Sequence, residues 1–272
     1  MINNVNVNLI QELRKRTGVG IMECKRALLE EHGDIELAVD NLRKNGLSQI
    51  LKKQSNIALQ GAIFTYVDNN QIGSMVEINC ETDFVSRNSD FLRFGQEVVK
   101  QSAIEKIIDI NLLNTKFELL KNQLIQRISE NIVIRRVVIT TGITVSSYIH
   151  ASRIGVLVSS NFDDIKLAKH LAMHIAASKP DYLNKNNIPK EVIEREKRIQ
   201  LDLIKKQNKP LFVAEKIING KINKFINEIS LLEQNFIFDL KIKVKDFLQS
   251  HGVKIKSFIR FELGENIKNN CN

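Results

Sequence analysis

The side chains in this chain with the strongest chemical potential are few, and their spacing limits what they can do. His170 and His174 stand four apart in His-Leu-Ala-Met-His, which puts two imidazoles on one helix face as zinc ligands are placed. The Glu of a His-Glu-x-x-His motif is missing and no third ligand is evident, so the pair reads as helix packing or partner contact. Cys24, Cys80 and Cys271 form no Cys-x-x-Cys pair, and their odd number fits a reducing compartment. Gly220-Lys221 lacks the upstream Gly and the following Ser or Thr of a phosphate-binding loop. Neither a dinucleotide fingerprint after a strand nor a Gly-x-Ser-x-Gly elbow is present. The expectation is a protein that is not an enzyme and has no metal or cofactor of its own.

One segment stands apart: Asn79-Cys80-Glu81-Thr82-Asp83-Phe84-Val85-Ser86-Arg87-Asn88, where a strand ends and a loop should lead to a helix. Two readings are open. Phe84 and Val85 can tuck into the core with Asp83 capping the next turn, the commoner fate of single apolar loop residues. Alternatively, Thr82–Val85 form an exposed acidic–aromatic tip, an apolar wedge beside a carboxylate on a rigid strand end.

Of 272 residues, 43% are hydrophobic and 26% charged, a composition that folds rather than staying disordered. At roughly 100–200 residues per domain the length suits one large or several small domains. The longest apolar run spans about five residues at 154–158, far from the ~20 that cross a bilayer. The first residues have neither the charged nor the apolar region of a secretory signal, so a cytoplasmic location is expected. Forty Lys and Arg exceed 31 Asp and Glu to give +9, but the basic residues are scattered in short clusters such as Lys52-Lys53 and Arg135-Arg136. That favours a solvated basic surface over a dedicated nucleic-acid face; an RNA- or ribosome-associated binding protein is the competing reading.

Residues 1–46 predict three short helices. Asn6 caps the first, with Leu9, Ile10 and Leu13 on one face; Thr17-Gly18-Val19-Gly20 breaks it. A second helix spans 21–32, and Asp34 caps a third that ends at Gly46, with 52–56 as linker. From 57 the pattern alternates, with a strand, the turn Asp68-Asn69-Asn70-Gln71 and a second strand. Helices follow near 91–104 and 117–128, and Val137 opens a second strand region. Residues 66–78 (YVDNNQIGSMVEI) align without gaps on 148–160 (YIHASRIGVLVSS), placing Gly73 on Gly155 and predicting a duplicated strand–turn–strand–helix unit. The glycine in each strand signals a close approach or a bulge. Residues 189–229 predict an antiparallel helical hairpin with narrow seams, Val192, Ile199 and Leu203 facing Ile218, Ile222, Phe225 and Ile229. Such a hairpin buries little alone, so its seam or flank should meet a partner or a second copy. Residues 253–263 alternate as a last strand, and 265–272 form a polar tail.

The chain resembles the bacterial translation elongation factor Ts family. The resemblance lies in six stretches: 13–28 (LRKRTGVGIMECKRAL), 33–41 (GDIELAVDN), 79–85 (NCETDFV), 147–158 (SYIHASRIGVLV), 170–180 (HLAMHIAASKP) and 258–264 (FIRFELG). It implies an α+β fold with an N-terminal ubiquitin-associated-like three-helix domain at 1–54. Two related core subdomains with antiparallel sheets would follow at 55–143 and at 144–188 with 230–264, with a protruding hairpin used for dimerisation at 189–229. It implies a guanine-nucleotide exchange factor for elongation factor Tu, bound in its GDP and nucleotide-free forms, with no direct nucleic-acid contact and no membrane. On this resemblance Thr82, Asp83, Phe84 and Val85 displace Mg²⁺ from the partner. Arg14, Ile21, Met22 and Lys25 match its N-terminal contact, and His150, Lys169 and His170 match contacts in the second subdomain. Ile21 stands where relatives often have Met, a near-isosteric exchange. Longer relatives continue past Gly264 into a C-terminal helical module, so weaker binding to Tu is expected of a chain ending at Asn272.

Overall fold

A computed structural model of the chain describes residues 6–205 and 211–267, with 43–52, 205 and 211 described by backbone alone. The Asn208-Lys209-Pro210 break, Cys271 and most of the polar tail lie outside the described residues.

The first helices are α1 (Val7–Thr17), α2 (Ile21–Glu30) and α3 (Ile35–Gln54). They close on Leu13, Cys24, Ala27, Leu28 and Ala38. Asn6 caps α1 by accepting from the Asn8 N–H at 3.1 Å, and Asp34 caps α3 by accepting from the Leu37 N–H at 3.0 Å. Gly18 ends α1 at φ +71°, a left-handed conformation that suits glycine. The stop expected at Gly46 is corrected, because α3 continues through it to Gln54. A glycine inside a helix costs about 1 kcal/mol relative to alanine, which weakens the helix without ending it.

The core begins with β1 (Gln60–Asp68), β2 (Ile72–Cys80), a four-residue α4 (Asp83–Ser86), α5 (Ser89–Glu105), α6 (Ile110–Ile128) and β3 (Val133–Thr141). Strands β1, β2 and β3 form one antiparallel sheet in that order, covered by α5 and α6 around the fully buried Phe91 and Leu113. The second half runs β4 (Thr144–His150), β5 (Ile154–Ser160) and α7 (Ile165–Ser178). The helical hairpin follows as α8 (Lys190–Lys205) and α9 (Leu211–Ile229), then β6 (Asn235–Phe236), β7 (Asp239–Lys243), α10 (Val244–Ser250) and β8 (Ile255–Glu262). Strand β5 sits between β4 and β8, all antiparallel, with Leu171, Ala172 and Ile175 of α7 against that sheet.

The two halves are structurally alike and face each other reciprocally. Each hairpin turns through two residues at positive φ, Asn69 and Asn70 in one, Ala151 and Ser152 in the other. Each turn is closed by an i to i+3 bond at 3.0 Å, Gln71 N–H to Asp68 and Arg153 N–H to His150, the pattern of a type I′ turn. Between halves, the Ile63 N–H donates to the Ser152 carbonyl at 2.8 Å and the Val145 N–H to the Asn70 carbonyl at 2.6 Å. These two bonds exchange under the 82-residue shift, and Thr65 and Ser147, themselves 82 apart, join hydroxyls at 3.3 Å. The glycines obey the same relation. A Cβ on Gly73 would meet Val145 and Leu157, and one on Gly155 would meet the corresponding Ile63 and Met75. The close approach read from glycine in each strand is therefore the packing of one unit on its duplicate.

A buried carboxylate secures this junction. Glu77, fully buried on β2, accepts from Arg135 at 2.8 Å, from Arg136 at 2.6 Å and from the Gly264 N–H at 3.0 Å. Arg136 also donates to the Glu262 carbonyl at 3.0 Å and lies over the Phe261 ring, joining β3 to β8. Arg135 and Arg136, expected as part of a solvated basic surface, are instead partly buried and bonded within the protein.

The hairpin seam is also corrected. Ile204, Ile218 and Ile222 are buried together, with Ile193, Ala214, Ile217 and Ile226 against them. Ile199 and Leu203, expected inside, are 44% and 46% exposed. Helix α8 holds apolar residues on two overlapping stripes, and the one through Ile193 and Ile204 packs on α9.

Candidate functional site

The Thr82–Val85 segment becomes a single helical turn whose base is pinned from a distant loop. Glu130, between α6 and β3, accepts from the Glu81 N–H at 3.1 Å, the Thr82 N–H at 3.0 Å and the Thr82 hydroxyl at 2.6 Å. Glu81 reciprocates, accepting from the Asn131 N–H at 2.7 Å and from the Asn56 side chain at 3.0 Å. Asn131 in turn donates to the Asn56 carbonyl at 2.8 Å and the Gln54 carbonyl at 3.4 Å, tying the loop to the end of α3. Cys80 completes the base: its thiol donates to the Thr82 carbonyl at 3.1 Å. Burial, with the Glu130 charge adding to it, pushes the Cys80 thiol up to about 12, so it remains protonated and a donor at neutral pH.

On that base the two sequence readings divide. Val85 is buried against the first-half core, while its neighbour Phe84 is 83% exposed. Thr82, not Asp83, caps the turn by accepting from the Val85 N–H at 3.4 Å. Asp83 faces solvent, paired loosely with Arg87 at 3.4 Å. The second half contains no counterpart: β5 ends at Ser160 and α7 starts at Ile165, whereas α4 is inserted between β2 and α5.

The other sequence-derived residues lie on separate elements. Ile21 and Met22 open α2 at 51% and 75% exposure, with Lys25 exposed one turn on and Arg14 exposed on α1. His150, exposed at the end of β4, has its Nδ1 3.4 Å from the Tyr148 hydroxyl. Lys169 and His170 are exposed on α7, the His170 ring 4.9 Å from that of Phe238. The sequence-derived residues thus lie on three different units: the N-terminal helices, the tip of the first half and the second half.

His174 has a different role from His170. It is fully buried, its Nδ1 accepts from the Ile237 N–H at 3.3 Å and its Nε2 lies 3.0 Å from Gln234 Oε1. Gln234 donates its amide to the Glu228 carbonyl at 2.5 Å and to the Ser178 carbonyl at 3.2 Å, which leaves its Oε1 to accept from His174. Both imidazole nitrogens are thereby used within the protein, and burial holds the ring below its ordinary pKa. Among the described residues no group of three or more His, Cys, Asp or Glu is arranged to hold a metal ion. No described helix is long and apolar enough to cross a membrane. Sequence reasoning missed Glu130, Asn131 and Asn56; the signal was a Glu-Asn pair just before a strand, without periodicity to link it to a tip 48 residues away.

These features define a class: an α+β protein with a duplicated antiparallel core, an N-terminal three-helix module and a helical hairpin, presenting an exposed Phe–Asp tip. The family model described as Elongation factor TS matches residues 81–265, which contain the tip, His150, His170 and the hairpin. Elongation factor Ts of Buchnera aphidicola subsp. Acyrthosiphon pisum is 50% identical over 265 residues, 97% of this chain and 98% of that one. Its counterpart in Sodalis glossinidius is 47% identical over 266 residues, 97% of this chain and 93% of that one. The chain belongs to the elongation factor Ts family.

Proposed function

We propose that the chain is a guanine-nucleotide exchange factor that releases GDP from elongation factor Tu during translation elongation, acting by contact and not as an enzyme. The observation that carries this is Phe84, an aromatic ring 83% exposed beside a carboxylate on a pinned helical turn. Exposing such a ring is unfavourable unless a partner buries it, and full burial of a Phe is worth about 1.5–3 kcal/mol. Tight GDP binding depends on Mg²⁺ offsetting phosphate charge and on backbone N–H groups around the phosphates. A ring wedged between helices of the partner beside that site, with Asp83 disturbing the metal's water ligands, raises the energy of the GDP complex. Each tenfold in release rate needs about 1.4 kcal/mol. Arg14, Ile21, Met22 and Lys25 on one side, and His150, Lys169 and His170 on the other, supply grip while the tip acts. By reciprocity GDP weakens the factor's hold on Tu as the factor weakens GDP, so the cycle needs no catalytic group, metal or cofactor in this chain.

Within the same proposal the hairpin meets a second copy of the chain. Ile199 and Leu203 form an exposed stripe on α8, and Phe212 and Val213 are 79% and 43% exposed at the start of α9.

The exchange proposal is tested by stopped-flow release of a fluorescent GDP analogue from elongation factor Tu, with the chain and with Phe84→Ala. Phe84 packs on nothing central, so the variant should melt as the parent does while accelerating release about 10- to 100-fold less. Equal acceleration by the variant would contradict the role given to the tip.

A further inference from the structure

A four-residue helix cannot hold itself together in water, because its nucleation cost is met by almost no propagation. Helix α4 buries only Val85 and exposes Phe84, so packing gives little direction to the ring. What fixes the turn is polar. A threonine hydroxyl has one proton and two lone pairs. Glu130 takes that proton at 2.6 Å, which turns the hydroxyl's lone pairs toward the Val85 N–H of α4. The same carboxylate holds the Glu81 and Thr82 N–H groups, the last two before the helix. Glu81 is itself held across the strap by Asn131 and Asn56.

Resting on the exchange reading above, we infer that Glu130 is a positioning residue that aims Phe84: its carboxylate sets the polarity of the Thr82 cap and thereby the orientation of the exposed ring. The strap also links the tip to Gln54, the last residue of α3, through Asn131. The turn that bears the wedge is therefore registered against the end of the N-terminal module, whose exposed patch would grip the same partner. Pre-ordering of this kind spares the complex the entropy of arranging the wedge at each encounter.

Two variants test the assignment: Glu130→Ala and Glu130→Gln. Glu130→Ala removes all three acceptor contacts. Glu130→Gln retains an oxygen for the N–H groups but presents a donor amide to the hydroxyl, reversing its polarity. Release of the GDP analogue should fall about tenfold at saturating concentrations of Glu130→Ala, with half-saturation changed less than about twofold. Glu130→Gln should fall by less. In a Phe84→Ala background Glu130→Ala should add little, since there is no ring left to aim. A loss that multiplies fully with Phe84→Ala, or that appears only in half-saturation, would overturn the assignment. Hydrogen–deuterium exchange at 81–87 gives an answer that does not involve Tu. Faster exchange in Glu130→Ala supports the pinning, and unchanged protection overturns it. If the parent chain does not accelerate release at all, the exchange reading fails, and the pinning stands or falls on the hydrogen-exchange result alone.

Discussion

Phe84 and Val85 are adjacent and similarly apolar, yet one is 83% exposed and the other 8%. The difference arises because Thr82 starts a helical turn, and neighbouring side chains on a helix point about 100° apart. Residue types and their order marked this segment as unusual, but the direction of each side chain depended on a cap held by Glu130, far away in sequence. His170 and His174 divide in the same way: four apart on one helix, one exposed and one with both nitrogens bonded. Burial of His174 has a consequence for stability. Its folded pKa lies below the ordinary value near 6.5, so below that pH the unfolded chain takes up a proton that the folded chain refuses. Its contribution is complete above about pH 6.5 and is lost as pH falls toward the depressed folded value. Urea unfolding at neutral and at mildly acidic pH should show a larger loss for the parent than for His174→Gln. Equal losses would mean that His174 stays neutral in both states or protonates without cost.

At the scale of elements, apolar spacing located the helices well and their phase less well. In α8, Val192, Ile193, Ile199, Leu203 and Ile204 offer two overlapping stripes, and periodicity alone does not say which one a partner helix takes. Ile193 and Ile204 pack on α9, leaving Ile199 and Leu203 outward as the surface assigned to a second copy. Sedimentation equilibrium should give about twice the chain mass for the parent, and Leu203→Asp should return it to the monomer; a monomeric parent would remove the dimer from the proposal. The β6–β7 hairpin and α10 were not read from the sequence. Strand β6 has only two residues, β7 five and α10 seven, too short for a period to emerge. Helix α3 outran its expected end for a different reason: the glycine that suggested a C-cap lies inside it.

Over the whole molecule the duplication was the most legible feature, since like sequences make like hairpins and the glycine in each unit receives the side chains of the other. The contact that secures the halves was not legible, because Glu77, Arg135 and Arg136 meet across strands distant in the chain. Fully buried, Glu77 needs both guanidinium partners, and a carboxylate left there alone would be costly. With Arg135 and Arg136 engaged internally, that pair drops out of the case for an RNA-binding face. On the proposed function, the exposed residues of the N-terminal module and of the second half grip one partner from a framework tied across its halves while the tip acts. The most direct test adds the chain in amounts far below those of elongation factor Tu carrying a fluorescent GDP analogue, with excess unlabelled GDP. Release that is accelerated for many equivalents of Tu per chain is the expected result. No acceleration by folded protein, or release limited to one equivalent, would contradict nucleotide exchange as its function.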